Sequence, residues 1–376
     1  MKIFFFSPCA LDPKLGAAKM LMELSSALEK LGWSVTLMGP PDLGADRKDG
    51  PAKLHAYLAE HADEYDVVDF DYKYLNLRRS EFSDRILFVA RAQLLLHHYV
   101  FSPMPPVRDV RGGLRLLKHQ VDRFRKWRTL PALDATFREA DLVSVLNRHA
   151  RRDLARRGVD AEKILVFPNG MSEARRPAFE RVPVAPPPDP VVAFIGMFGP
   201  RKGSADLPDI VRCVTDAVPG TRFRLLGTRG MFRTEAEVLA HFAPELRPRI
   251  EVIPSYAPET LPDLLKTCAV GVFPSYAEGF PLGVLEMLAA AVPVVAYDLP
   301  GAPEMLDAEY LVPPKNTRAM SARLAALLLD RKVLAEARVW ARERARRFTW
   351  DRIAADTHEA YTAALERKRA LAKPAS

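Results

Sequence analysis

Short apolar runs alternate with amphipathic stretches along the first half of the chain. Lys2–Phe6 and Ser34–Met38 have the length and composition of buried strands. The stretch between them predicts a helix whose apolar face is formed by Met20, Leu21, Leu24, Leu28 and Leu31. Further strands are predicted at Glu64–Phe70, Arg85–Ala90, Asp141–Val145 and Ile164–Phe167. Because strands that alternate with helices form parallel sheets covered on both faces, residues 1–175 are predicted to be an α/β domain.

The alternation stops at a proline-rich segment and then starts again. Between Arg175 and Pro190 the prolines remove amide donors and fix φ, so we expect neither a helix nor a central strand, and residues 176–190 are interpreted as a semi-rigid linker. Beyond it, strands are predicted at Val191–Ile195, Arg222–Leu226, Ile250–Ile253, Val270–Phe273 and Pro293–Ala296, and helices near 204–217, 233–243, 259–267 and 282–291. Residues 191–350 are therefore predicted to form a second doubly wound domain.

The last part of the chain is predicted to be helical. Helical patterning runs from Arg318 to the end, with a break near Phe348–Trp350. The final helix, residues 351–376, is expected to cross back and pack on the first domain. A length of 376 residues with 48% hydrophobic content is enough for two such domains, each with its own core.

The cysteines and the apolar stretches indicate the cellular compartment in which the protein is expected. The three cysteines are far apart and form no metal-binding or disulfide pattern, which favours a reducing cytoplasm. The apolar run in Lys2–Phe6 is too short for a signal peptide. The longest apolar stretch, Leu282–Tyr297, is interrupted by Glu286 and Pro293, so no transmembrane helix is expected.

Positive charge is concentrated in one region. Residues 108–157 contain fourteen Lys/Arg and six Asp/Glu, an excess equal to the formal net charge of +8 of the whole chain. Such a patch attracts a phosphate-bearing substrate, an acidic lipid surface or nucleic acid. Since no helix-turn-helix, zinc-finger or RNA-recognition signature accompanies the charge, we do not expect nucleic-acid binding.

Within this region, residues 113–128 have an amphipathic pattern. Leu114, Leu117, Val121 and Phe124 recur at helical spacing, with basic residues beside them. The pattern fits an ordinary helix with its stripe in the core, or a helix that docks on an anionic membrane or a lipid-phosphate acceptor. For the apolar stripe we favour a position in the core. For the excess of basic residues we favour contact with an anionic partner.

The most informative segment follows the strand that ends at Phe273. Pro281 suits the first turn of a helix, because its missing amide would be unpaired there in any case. The amides of Leu282 and Gly283 would then point out of the helix start, an arrangement that favours an anion such as a diphosphate. Gly283 would let the ligand approach the backbone closely.

Two carboxylates flank this predicted anion site. Glu286, about one turn into the helix, can only accept hydrogen bonds when ionised, which suits the vicinal hydroxyl groups of a ribose. Glu278, on the preceding loop, can reach a polar group beyond the phosphates. The residues alone leave open a second interpretation, in which Glu278 is solvated and Glu286 only complements the helix dipole.

The run Glu278-Gly-Phe-Pro-Leu-Gly-Val-Leu-Glu286, followed by Ala291-Val-Pro-Val-Val295, resembles the signature of the retaining glycosyltransferases of family 4. That signature is a Glu, seven residues and a second Glu, usually followed by Gly-x-Pro-Val-Val, and Ala291 replaces that glycine. The resemblance implies an α/β architecture of the GT-B type, with two Rossmann-like doubly wound domains facing an interdomain cleft. It further implies that a nucleotide-diphosphate sugar contacts Glu278, Gly279, Phe280, Pro281, Leu282, Gly283 and Glu286.

A second stretch, Phe194-Ile-Gly-Met-Phe-Gly-Pro-Arg-Lys-Gly203, is similar to the start of the second domain in that family. The resemblance places Gly196 and Lys202 at the donor site, and Lys202 matches the lysine that contacts the donor diphosphate. Met197 occupies the position of the usual arginine, for which Arg201 is the candidate substitute.

The first domain resembles the family more loosely. Lys14–Ala18 is similar to a glycine-containing loop at the donor site and has a single glycine, Gly16. Many relatives have a histidine at a strand end that faces the transferred sugar, and here Gln93 stands in its place. The acceptor-side candidates are therefore Arg91, Gln93 and His97, although a histidine beside a leucine run is more often packed.

The resemblance implies a mechanism. Retaining enzymes of this type act by front-face attack, in which the leaving phosphate takes the acceptor proton and no metal or other cofactor is needed. Lys202, Glu278 and Arg201 would position and stabilise the departing diphosphate. The donor would be a UDP- or GDP-sugar, and the acceptor a glycan, a lipid-linked sugar or a small molecule. Met197 and Gln93 motivate the alternative of a nucleotide-sugar-binding protein without transferase activity.

Overall fold

Two six-stranded parallel sheets organise the chain in this computed structural model, which describes residues 1–12, 15–46, 49–101 and 110–372. Lys14 of the glycine-containing loop and Arg108 of the basic region lie outside the described residues. Contacts divide the chain into a first unit, Met1–His97 with Arg125–Ser172 and Phe348–Ser376, and a second unit, His98–Phe124 with Glu173–Arg347. Among the helices of the described ranges, none combines the length and apolar character that a membrane span requires.

The sheet of the first unit is built from the predicted apolar runs. Its strands are Lys2–Phe6 (β1), Ser34–Met38 (β2), Val67–Asp71 (β3), Leu87–Ala92 (β4), Leu142–Val145 (β5) and Ile164–Val166 (β6). They pair in parallel in the order β2-β1-β3-β4-β5-β6. The order reverses between β1 and β3, and open α/β sheets bind ligands at the carboxyl ends of strands beside such a reversal.

Six α-helices occur among the described residues before position 173. They are Gly16–Lys30 (α1), Gly50–His61 (α2), Leu96–Phe101 (α3), Val110–Trp127 (α4), Leu130–Glu139 (α5) and Arg148–Arg156 (α6). The predicted apolar face of α1 is buried at Met20, Leu21, Leu24 and Leu28. Leu31, which was assigned to the same face, is instead the exposed C-cap residue of the helix.

The sheet of the second unit has the order β12-β11-β10-β7-β8-β9 and is also entirely parallel. Four of its strands have the predicted bounds, and a fifth is shifted by one residue. A sixth strand of two residues was not predicted, because it is too short to show a pattern. The strands are Val191–Ile195 (β7), Arg222–Leu226 (β8), Ile250–Ile253 (β9), Val270–Phe273 (β10), Val294–Tyr297 (β11) and Leu311–Val312 (β12).

The first α-helix after residue 173 was not expected. Arg176–Glu180 (α7) lies in the proline-rich segment, where the sequence predicted none, and it forms because Pro177 is in the first turn, where a missing amide costs nothing. The remaining helices are Leu207–Ala217 (α8), Glu235–Leu239 (α9), Leu261–Leu265 (α10), Leu282–Ala289 (α11), Thr317–Leu329 (α12) and Arg331–Ala345 (α13).

Two buried arginines of α13 hold the proline-rich segment against the second unit. Arg338 donates to the carbonyls of Pro183 and Val184, each at 2.9 Å, and Arg342 donates to Val182 at 2.7 Å. Burial lowers the pKa of Arg338 to about 10, so the backbone carbonyls replace water around its charge. The segment expected as a linker is thus attached to the second unit over residues 182–184.

The chain ends in a long helix, Trp350–Ala372 (α14), that belongs to the first unit and packs against α1. The indole nitrogen of Trp33 donates to His358 at 2.8 Å. The hydroxyl of Tyr361 donates to Asp69 on β3 at 2.7 Å, so the helix is also attached to the sheet by a buried polar contact.

Candidate functional site

The predicted anion site lies at the start of α11. The helix begins at Leu282, and no side chain caps it. Pro281 is the extended N-cap residue, not part of the first turn as predicted, and its carbonyl accepts from Val284 at 2.9 Å. Leu282, Gly283 and Glu286 are partly exposed, whereas the other residues of α11 are buried. One face of the helix start therefore presents two amides and a carboxylate.

Gly283 has a packing role that was not predicted. A Cβ atom at this position would lie 3.1 Å from Cγ2 of Ile195, at the end of β7. The glycine therefore lets the start of α11 approach the carboxyl end of a central strand, which is where α/β sheets bind ligands.

Glu278 is the centre of a charged cluster beside this helix start. Its Oε1 atom lies 2.7 Å from Nη1 of Arg201 and 2.8 Å from Nζ of Lys202. The hydroxyl of Ser275 donates to the same oxygen at 2.6 Å. Lys202 and Glu278 are 15% and 13% exposed, so the cluster is largely shielded from water but accessible from one side. The structure thus brings the three predicted catalytic residues together.

The three charged groups of the cluster shift one another's pKa values. Burial alone would raise the pKa of Glu278, but the charges of Lys202 and Arg201 and the hydrogen bonds from Lys202 and Ser275 outweigh it, and the pKa lies below its usual value. The pKa of Lys202 is lowered by burial and by Arg201, while Glu278 opposes that change. Two cations face one carboxylate, which leaves a net positive charge for an anionic ligand.

Two glycines allow Lys202 to reach this position. Gly196 has a φ of +143°, and a Cβ there would lie 3.3 Å from Cε of Lys202, so a side chain would crowd the lysine. Gly203 has a φ of +77°, and a Cβ there would collide with the carbonyl of Pro274. Gly196 therefore makes room for the side chain of Lys202, and its predicted contact with the donor stays a prediction.

The loop between Glu278 and Glu286 is packed against the protein interior. Phe280 and Gly279 are buried, and a Cβ on Gly301 would lie 2.8 Å from the carbonyl oxygen of Gly279. Met197 is exposed, its side chain lies against Gly230, and it brings no positive charge to that position. Arg201 supplies the second positive charge from the neighbouring turn.

Glu286 has a partner that sequence reasoning missed. Nη2 of Arg175 lies 2.8 Å from Oε1 of Glu286. Arg175 is 111 residues away in the chain. No local pattern connects them, and the basic character of residues 175–176 was the only available signal.

The predicted acceptor-side residues do not form one cluster. Gln93 donates to the carbonyl of Ala17 at 3.3 Å and therefore lies beside Gly16 at the start of α1. Arg91 is buried, and Nε and Nη2 are 2.9 and 2.5 Å from the carboxylate of Asp69. His97 is also buried, with Nε2 3.0 Å from Asp134. Arg91 is thus a structural residue, because its guanidinium is already paired with Asp69 on β3 and Tyr361 on α14.

A cavity of about 560 Å³ opens at the carboxyl ends of the first three strands of the first unit. It lies beside the reversal of strand order between β1 and β3, and its lining includes Cys9, Pro40, Lys73 and Tyr74. The position and the mixed apolar and polar lining suit a small polar ligand.

No group of three or more His, Cys, Asp or Glu side chains that could hold a metal occurs among the described residues. Asp69 and Asp71, an Asp-x-Asp pair, are both buried in β3. Asp69 is held by Arg91, and Asp71 lies 3.5 Å from Lys73.

The apolar stripe of α4 is not in the core, contrary to prediction. Leu117 is 63% and Val121 45% exposed, and Phe124 is exposed as well. The side chain of Leu114, the fourth member of the predicted stripe, lies outside the described residues. The helix therefore presents apolar groups to solvent in its second half, next to Arg125 and Lys126.

Comparison with known families places these features in context. The model described as "Glycosyl transferase 4-like domain" matches residues 16–170, and the model described as "Glycosyl transferases group 1" matches residues 189–330. The chain belongs to the group 1 glycosyl transferases. The two matched ranges correspond to the main parts of the two units, and the second contains Lys202, Glu278 and Glu286.

Among curated relatives of this glycosyl transferase, the D-inositol 3-phosphate glycosyltransferase of Nocardia farcinica is 31% identical over 245 residues. The match covers 60% of this chain and 53% of that protein, so the chain spans about half the length of this curated relative.

Solved structures share the fold. Sucrose-phosphate synthase from Thermosynechococcus elongatus has a TM-score of 0.71 at 21% identity, over 96% of this chain and 98% of that one. Anabaena Alr3699/HepE in complex with UDP-glucose has a TM-score of 0.70 at 19% identity, over 96% and 100%. The predicted fold class, α/β of the GT-B type with two Rossmann-like units, is confirmed.

Proposed function

We propose that this group 1 glycosyl transferase moves a sugar from a nucleotide-diphosphate sugar to an acceptor with retention of configuration. The observation that carries the proposal is the Lys202–Glu278–Arg201 cluster beside the uncapped start of α11. Two cations lie on one turn near two uncapped helix-start amides, and a diphosphate is the anion that such an arrangement suits.

The charges would act mainly on the leaving group. As the bond between sugar and phosphate breaks, negative charge grows on the departing diphosphate, and Lys202 and Arg201 stabilise that charge at a position fixed in advance by Glu278. The diphosphate accepts the proton of the attacking hydroxyl, so no protein base is required. This mechanism needs no metal, and the donor-side residues present fit it.

The acceptor is expected to bind to the first unit. The cavity that includes Lys73 and Tyr74, at the carboxyl ends of its strands, suits a glycan, a lipid-linked sugar or a small polyol. The named activity of the relative from Nocardia farcinica, which is on D-inositol 3-phosphate, supports including phosphorylated polyols in a screen. The complex of Alr3699/HepE with UDP-glucose supports UDP-sugars as the first donors to test, with GDP-sugars second.

The experiment is a donor screen followed by a transfer assay. Thermal shift with UDP- and GDP-sugars identifies the donor, because a ligand that binds only the folded state raises the Tm. Release of nucleoside diphosphate with candidate acceptors, and the anomeric configuration of the product by NMR, then test transfer and retention. An inverted product contradicts the retaining mechanism, and a chain that binds no nucleotide sugar contradicts the proposal as a whole.

A second candidate is a nucleotide-sugar-binding protein without transferase activity. Met197 at the usual arginine position and Gln93 at the usual histidine position favour it. The transfer assay separates the two: tight donor binding without release of nucleoside diphosphate, with any acceptor, supports the binding protein.

We also propose that the protein works on the cytoplasmic side of an anionic membrane surface and contacts it through α4. That helix has six Lys/Arg and one Asp, and Leu117 and Val121 are exposed one turn apart. Basic and apolar groups on one helix are the combination that binds an interface containing acidic lipids.

Replacing Leu117 and Val121 together with Ser is expected to weaken binding to phosphatidylglycerol-containing vesicles by about tenfold or more, because burying each side chain is worth on the order of 1.5 kcal/mol. Cosedimentation at low ionic strength measures the binding. The matched control is the Val333→Ser, Val339→Ser variant of α13, where the two exposed valines lie on another helix. Equal sedimentation of both variants and the parent contradicts the assignment of this surface.

A further inference from the structure

The ion pair between Arg175 and Glu286 joins the segment before α7 to the open face of α11. Nη2 of Arg175 lies 2.8 Å from Oε1 of Glu286, and the two side chains are 22% and 16% exposed. The guanidinium is also 5.5 Å from the ring centre of Phe179, which is buried. The ring of Phe179 on α7 therefore holds the guanidinium of Arg175 while it reaches the carboxylate.

Tyr256 is affected by the charges of the same pair. A Cβ on Gly227, directly after β8, would lie 3.3 Å from the ring of Tyr256, so the glycine leaves room for that ring. Burial raises the pKa of Tyr256, Glu286 raises it further, and Arg175 opposes the change. The charges of Glu286 and Arg175 thus both act on the phenol of Tyr256.

The pairing leaves half of the carboxylate available. Arg175 occupies Oε1, and Oε2 has no hydrogen-bond donor among the described residues. A carboxylate offers about four acceptor positions on two oxygens, so Oε2 can accept from a ligand while Oε1 stays with the arginine. An unheld glutamate on a helix surface would have to be ordered when the ligand binds, which costs side-chain entropy.

We propose that Arg175 is a positioning residue for ribose recognition, fixing the Glu286 carboxylate so that Oε2 accepts hydrogen bonds from the hydroxyl groups of the donor nucleotide. The inference rests on the proposed function, since it requires a nucleotide at α11. It adds a residue from the proline-rich segment to the donor site, and it predicts a specific signature. Loss of Arg175 should reduce the preference for ribose over a sugar that lacks those hydroxyls.

The test compares the affinity of a nucleoside diphosphate with that of its 2′,3′-dideoxy analogue by calorimetry, using UDP or GDP, whichever binds the parent. The parent is expected to prefer the ribonucleotide. Arg175→Met should weaken binding of the ribonucleotide by about tenfold, the effect of losing one well-placed charged hydrogen bond. It should leave the affinity for the dideoxy analogue unchanged. In a Glu286→Ala background, Arg175→Met should cause no further loss of the preference, and Arg175→Lys should retain part of it.

Arg176→Met is the matched control, because Arg176 is adjacent but pairs with Glu173 at 2.6 Å. It should keep the parental preference. The inference is overturned if Arg175→Met weakens both nucleotides by the same factor, which would indicate a structural role only, or if it changes neither. A parent that binds neither UDP nor GDP overturns the proposed function instead, and a parent that binds both forms equally shows that Glu286 does not bind the ribose.

Discussion

Replacing Lys202 with Met is expected to lower kcat for sugar transfer by about 10²–10³, the usual effect of removing one preorganised group that stabilises developing charge. Lys202 is nearly buried and lies 2.8 Å from Glu278, so its position is set before the donor binds. The charge that it faces grows as the diphosphate departs, and an interaction that strengthens in the transition state affects kcat more than KM. Initial rates over a range of donor concentrations separate the two constants.

A second readout follows from the electrostatics of the cluster. Burial favours the protonated form of Glu278, and Lys202 is the largest influence that opposes it. Without the lysine, the pKa of Glu278 should rise, so the residual activity of the Lys202→Met variant should decline at a higher pH on the acid side than that of the parent. The matched control is Lys332→Met, an exposed lysine on α13 of the same unit, and it should behave like the parent. Parental kcat in Lys202→Met would show that the cluster is not the catalytic site.

Sequence reasoning succeeded where the signal was local. The strands of the second unit, for example Val191–Ile195 and Val270–Phe273, are continuous apolar runs bounded by polar turns, and such runs are buried wherever they occur. The approach of Lys202 and Arg201 to Glu278 was also predictable, because each follows a strand of one parallel sheet, and the carboxyl ends of parallel strands share an edge.

Sequence reasoning failed where a contact, or the exposure of a side chain, depends on residues that are distant in the chain. Arg175 and Glu286 are paired although they are 111 residues apart in the chain, and the sequence around neither residue indicates the contact. Leu117 was expected in the core because spacing identifies one apolar face of a helix but not what covers it. Arg91 was assigned to an acceptor site from its place in a motif, whereas Asp69 on the neighbouring strand determines its role.

The Arg91–Asp69 pair gives the largest expected effect on stability. Replacing Arg91 with Met leaves the buried carboxylate of Asp69 with the hydroxyl of Tyr361 as its remaining partner, and removing one member of a buried pair costs about 3–5 kcal/mol. Hydrogen exchange of the β3 and β4 amides measures this loss of stability in the first unit alone, whereas unfolding of the whole chain would not isolate it.

Two further variants test whether the stability lost in Arg91→Met is due to the unpaired buried charge. Replacing both residues, as Arg91→Met with Asp69→Leu, removes the unpaired charge and should recover most of the stability, because well-packed apolar groups substitute adequately for a buried ion pair. Arg85→Met breaks the exposed pair with Asp63 in the same unit, where both side chains are more than half exposed, and should change the free energy of unfolding by about 1 kcal/mol or less. If Arg91→Met also loses only about 1 kcal/mol, the guanidinium is replaceable by water, and Arg91 regains its place among the acceptor-side candidates.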